Sequence, residues 1–197
     1  MLIHLPSAAD SQLVNDFWSE YVDGFIFGDL ERAIAAHDNY LVALGEMCYI
    51  DYLGKLIRGR RGSEKNFKRF VIDYMPNYVP FLDGLYGEVR CGLVHSYFPD
   101  NVDVIGITWT ISGLAIRKVN GRWKIAVHDF LNEMKEATNA FKADLLSGKN
   151  LHKFKAVVTS NPGVDRIGRV SHGAIVGAPI GTSSTVVTTS GSIVRAP

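Results

Sequence analysis

Cysteine is scarce: Cys48 and Cys91 are the only two in 197 residues, and both lie in apolar, helix-compatible stretches rather than at paired-loop spacings. Two buried thiols are expected, not a disulfide framework. An apolar run of roughly 18 residues, enough to span a membrane, is also missing. The first residues, Met1-Leu-Ile-His-Leu-Pro6, lack the basic region and long apolar core of a secretory signal, so cytoplasm is the expected compartment. Charge of one sign is lacking too. With 21 Lys and Arg against 20 Asp and Glu, any basic surface must be local. The six histidines and two cysteines form no Cys-x2-Cys or His-Glu-x2-His pattern, so no metal site is expected. Gly168 to Gly181 lacks the Lys-Ser/Thr ending of a phosphate-binding loop, and no cofactor is expected.

What is present is a helical pattern. A 47% hydrophobic and 21% charged composition suits one globular domain of ordinary size. From Ser7 to Phe27, apolar residues recur at i, i+3, i+4 and i+7, predicting an amphipathic helix capped by Asp10 or Ser11. Gly28-Asp29 predicts a break, with Asp29 capping a longer second helix that runs towards Ile57. Ser63 can cap a third helix closed by Pro76, and Pro80 sits at the first turn of a fourth that ends before Pro99. Then the period changes. Residues 102–110, 113–119 and 122–127 read as short strands, with Asn120-Gly121 a strong hairpin turn. Asp129 restarts a helix through Leu145.

The expected fold is therefore mainly α: a bundle of four to five helices over residues 1–146, with a small antiparallel β-hairpin or sheet inserted at about 102–127. Residues 147–197 are rich in Gly, Ser, Thr and Val, and form either a flexible extension or a β-prone arm.

Seven of the 21 basic residues fall within residues 55–69. Arg58, Arg60, Arg61, Lys65, Lys68 and Arg69 are the candidate contacts to an RNA backbone; the competing reading is a solvated loop and helix start.

Chemistry is suggested at Leu85-Tyr-Gly-Glu-Val-Arg-Cys-Gly-Leu-Val-His-Ser-Tyr-Phe98, which carries Arg90 and His95 in an otherwise apolar helix. An Arg followed by His at this spacing occurs about once by chance in such a composition, and the chain has four: Arg32/His37, Arg90/His95, Arg122/His128 and Arg166/His172. Context separates them. Only Arg90 and His95 sit beside the small residues Gly87, Cys91 and Gly92, where a packed helix or a substrate groove would offset glycines costing about 1 kcal/mol each.

Val89-Arg-Cys-Gly-Leu-Val-His95, following three predicted helices, resembles the Arg-x4–6-His motif of HEPN-domain proteins, and the likeness spans roughly residues 10–146. The resemblance implies a helical bundle that dimerises and acts as a metal-independent endoribonuclease of toxin–antitoxin or phage-defence type. Arg90 and His95 would be its catalytic pair, and a second copy of the chain, RNA, and an antitoxin or other protein its partners. Apart from the resemblance, the neighbouring polar residues Glu88, Ser96 and Tyr97 are candidate helpers. Cys91 departs from the polar residue that usually follows the Arg in those ribonucleases.

RNA brings its own nucleophile, the 2′-OH. A histidine can then move protons near neutral pH, while an arginine holds the phosphoryl charge. The rival readings are a non-catalytic HEPN-like module binding a nucleotide, nucleic acid or protein, and an assembly subunit whose tail adds strands to a partner sheet.

Overall fold

The computed structural model describes residues 6–105 and 113–160. The C-terminal β-prone stretches, the Arg166/His172 pair and the end of the first expected strand lie outside the described residues. The described residues are mainly helical with a small three-stranded mixed sheet.

Ser7 starts the first helix with a reciprocal cap: Asp10 N–H donates to Ser7 Oγ, and Ser7 N–H donates to the Asp10 carboxylate, each at 3.1 Å. The cap is thus three residues earlier than expected. Helix α1 (Ala8–Phe17) continues through a π-helical stretch (Trp18–Phe27) into α2 (Gly28–Ala35). The break expected at Gly28-Asp29 is absent, because Gly28 keeps right-handed helical angles. The chain turns instead at 36–38, where His37 takes a positive φ of 62°.

Helix α3 (Asn39–Arg58) is the spine of the bundle, with Val42, Met47, Ile50, Leu53 and Leu56 fully buried. It ends at Gly59, whose φ of 71° suits a residue without Cβ. Helix α4 (Ser63–Tyr74) crosses it at Gly54, where an added Cβ would fall 1.9 Å from the Asn66 carbonyl oxygen. A 3₁₀ turn (Pro76–Phe81) leads into α5 (Leu82–Gly84), a π-helical turn (Leu85–Arg90) and α6 (Cys91–Ser96).

Strands β1 (Val102–Ile105), β2 (Ile116–Val119) and β3 (Arg122–Ala126) follow, in the order β1-β3-β2. Asn120 and Gly121 have φ of 51° and 80°, as the hairpin turn requires. The sheet is mixed, not antiparallel: β1 pairs in parallel with β3, Val102 opposite Trp123. The Asn-Gly signal fixes β2 against β3 but says nothing about which of them lies beside β1. Helix α7 (Val127–Leu146) begins directly after β3 rather than at Asp129.

The bundle does not end at residue 146. Helix α8 (Leu151–Thr159) buries Leu151, Phe154 and Val157, and Phe154 meets Phe17 edge-on at 5.1 Å. Phe154 therefore belongs to the same core as Trp18 and Phe141, whose rings lie 5.6 Å apart. Two polar groups are sealed in this core. Trp18 Nε1 and both Glu46 carboxylate oxygens have no hydrogen-bond partner among the described residues. Burial, reinforced by the Glu133 charge, pushes the Glu46 carboxyl well above its ordinary range, so it is held neutral.

Candidate functional site

Leu85, Val89 and Leu93 repeat every four residues and are buried, so they fix which way the Arg90 helix faces. Arg90 closes the π-helical turn and leans towards α3, where its Nη2 donates to Asp51 Oδ2 at 3.0 Å. The two side chains are 14% and 16% exposed, so this pair is shielded from water on most sides. The Ser63 hydroxyl donates to the same Asp51 oxygen, and the Tyr86 hydroxyl reaches Ser63 Oγ at 3.4 Å. The guanidinium also lies over the Tyr86 ring, 5.5 Å from its centre. Burial acts against the Arg90 charge, but Asp51 and then Tyr86 outweigh it and keep the group protonated. Arg90 Nε is buried without a partner among the described residues.

His95 has the opposite surroundings. It is exposed on the last turn of α6, with no hydrogen bond or ion pair among the described residues. The backbone from Arg90 to Ser96 is α-helical, so five positions turn the chain by about 140°. The π-helical turn ends at Arg90 and does not bring His95 round to it. One protomer therefore places the arginine against α3 and the histidine towards solvent.

An aromatic rim adjoins His95. Tyr97, at φ 58°, and Phe98 contact Tyr40, with the Phe98 and Tyr40 ring centres 4.6 Å apart. Phe98 remains 62% exposed and Val94 38%.

Of the expected helpers, Tyr97 and Ser96 stand at this rim, whereas Glu88 does not. Its carboxylate accepts Lys118 Nζ at 2.7 Å, Trp123 Nε1 at 2.8 Å and Asn101 Nδ2 at 3.3 Å, tying the helix to the sheet. The Lys118 and Trp123 contacts hold its pKa below the ordinary glutamate value. The two helical glycines serve different ends: a Cβ on Gly92 would press on Pro99 at 3.0 Å, while Gly87 faces open space. The close neighbour at Gly92 is thus a loop proline, not a helix.

The basic run is divided. Arg58, Arg60, Arg61 and Lys65 line a cavity of about 530 Å³ whose wall includes Ser63 and Tyr86. Lys68 and Arg69 do not join it. Lys68 is bound by Asp83 at 2.6 Å and Glu64 at 2.8 Å, which raises its pKa, and Arg69 by Asp73 at 2.8 Å.

The other Arg/His spacings have structural explanations: Arg32 pairs with Asp29, and Arg122 with Asp103 at 2.6 Å. Neither cysteine is buried as expected: Cys48 is exposed, near the Arg90 charge, and Cys91 is partly exposed.

Asp51 was not among the expected site residues. Its signal was a lone carboxylate within the apolar run Met47-Cys-Tyr-Ile-Asp51-Tyr-Leu53. Among the described residues no cluster of His, Cys, Asp or Glu could hold a metal ion, and no helix is long and apolar enough to cross a membrane. The sequence matches no family model, and comparisons with curated proteins and solved structures find no match either.

Proposed function

We propose that this is a HEPN-like domain acting as a metal-independent endoribonuclease, with Arg90 and His95 as the catalytic pair and a twofold-related copy completing the site. The observation that carries the reading is the contrast within the motif. A guanidinium is charged and oriented in advance by Asp51, and an imidazole with no partner among the described residues stands exposed about 1.4 turns later.

A histidine can take the proton from a ribose 2′-OH or give one to the leaving 5′ oxygen. Asp51 occupies one of the five guanidinium donors, and others serve the phosphoryl oxygens as charge builds. The products would be a 2′,3′-cyclic phosphate and a 5′-hydroxyl end. Because Arg90 and His95 diverge within one protomer, the pair must meet across two. The exposed Val94, Tyr97 and Phe98 beside His95 supply an apolar seam for that partner.

Purified protein incubated with RNA in EDTA tests this. Cleavage should persist, leave cyclic-phosphate ends, and disappear in His95→Ala. Undiminished cleavage in that variant, or cleavage abolished by EDTA, overturns it.

A second reading, a non-catalytic HEPN-like module that binds RNA, is favoured by the shielded Arg90–Asp51 pair, which would then be purely structural. It expects RNA binding without strand scission under the same conditions.

A further inference from the structure

The basic residues at the start of α4 were expected to track a nucleic-acid backbone, yet their charge does not continue along the helix. Lys68 and Arg69, the next cations, are neutralised by carboxylates within the chain. Glu64, the one acid lining the cavity, is engaged by Lys68. What remains is a bounded cluster of Arg58, Arg60, Arg61 and Lys65 around a concave space. Among the described residues Arg58 is held by neutral acceptors, donating to Asn66 Oδ1 at 2.6 Å and the Gly62 carbonyl at 3.4 Å, so they fix its charge without cancelling it. Asn66 is itself 3% exposed, which makes the anchor rigid.

The helix end adds to this. The Ser63 hydroxyl, which could have capped α4, is turned to Asp51, and no side chain among the described residues caps the first turn. The first amides of that turn therefore have no side-chain acceptor among the described residues, and Gly62, Ser63 and Lys65 of the same turn line the space. A track for a polyanion needs cations in series; an open pocket lined by four cations at the start of a helix suits a single, doubly charged group.

We infer that the cavity between the α3–α4 loop and Tyr86 binds a phosphomonoester, the terminal phosphate of an RNA 5′ end or of a free nucleotide. A monoester carries close to two charges at neutral pH, against one for each backbone diester. A volume of about 530 Å³ accommodates a nucleotide. The Ser63 and Tyr86 wall connects through Asp51 to Arg90, so the end group would rest beside the proposed catalytic arginine. The inference takes its RNA source from the nuclease reading, but its charge argument stands apart from it.

Binding is measured on the full chain carrying His95→Ala, so that RNA is not consumed. The probes are a 3′-labelled oligoribonucleotide with a 5′-phosphate, the same strand with a 5′-hydroxyl, and AMP and inorganic phosphate as competitors. The phosphorylated strand should bind about tenfold tighter, the effect of one added charge-assisted contact. The salt dependence should be shallow, with a slope near −2, where six backbone contacts would give about −4. Arg60→Ala combined with Arg61→Ala, both exposed loop positions, should abolish the preference while the melting temperature holds.

Competition by AMP identifies free nucleotide as a source; preference for the strand without such competition identifies the RNA end. Equal affinity for the two strands, or a preference that survives the double variant, overturns the inference. A protein that binds the phosphorylated strand but never cuts RNA in its wild-type form would refute the nuclease and leave the pocket standing.

Discussion

Arg90 and His95 are five residues apart on one helix and live under opposite constraints. The arginine is shielded, paired with Asp51 and stacked on Tyr86. The histidine is exposed and bonded to nothing described. Equal losses of activity in the two variants would therefore carry unequal meaning. Removing Arg90 strips a charge partner from a half-buried carboxylate and so acts on folding as well as on chemistry. Removing His95 should act on chemistry alone.

The largest expected effect sharpens this contrast. His95→Ala should lower RNA cleavage by about 10²–10⁴-fold, the worth of a general acid–base group, with no change in melting temperature. Arg90→Ala should lose activity too, but also about 2 kcal/mol of stability, read by denaturant titration. A His95 variant that unfolds as readily would erase the distinction.

Next is Gly54→Ala. Its Cβ would meet the Asn66 backbone at 1.9 Å, so α4 must move away, carrying Ser63 from Asp51. About 3 kcal/mol of destabilisation is expected, with loss of activity although the motif is intact.

Glu46→Gln probes the sealed core for comparison. Folding holds Glu46 neutral, so the native state binds the extra proton. Its burial costs stability as pH rises above the ordinary glutamate value of about 4.3. The amide removes that titration, and should raise stability at pH 8 by about 1–2 kcal/mol while changing little at pH 4. Identical pH profiles for the two proteins would mean the carboxyl is not neutral.

The smallest effect is at the rim. Phe98→Ser should weaken the proposed self-association roughly tenfold by sedimentation while the monomer melts unchanged.

Much of this architecture was readable in advance, for identifiable reasons. Helical periodicity places Leu85, Val89 and Leu93 on one buried face, and Asn120-Gly121 dictates its turn from local backbone chemistry alone. Contacts distant in sequence were not readable. Asp51 and Arg90 are 39 positions apart, and nothing in either segment names the other. The basic run looked uniform because its neutralising acids, Asp73 and Asp83, lie on later turns and a later helix. Gly28 misled because glycine usually ends helices, yet here α2 continues the preceding helix without a turn.

Glu88 gathers Lys118, Trp123 and Asn101 onto the same turn that ends in Arg90. Three fasteners on one carboxylate make the hairpin and that helix a single mechanical part. A push delivered at Asn120-Gly121 would therefore be passed to the turn that carries the guanidinium.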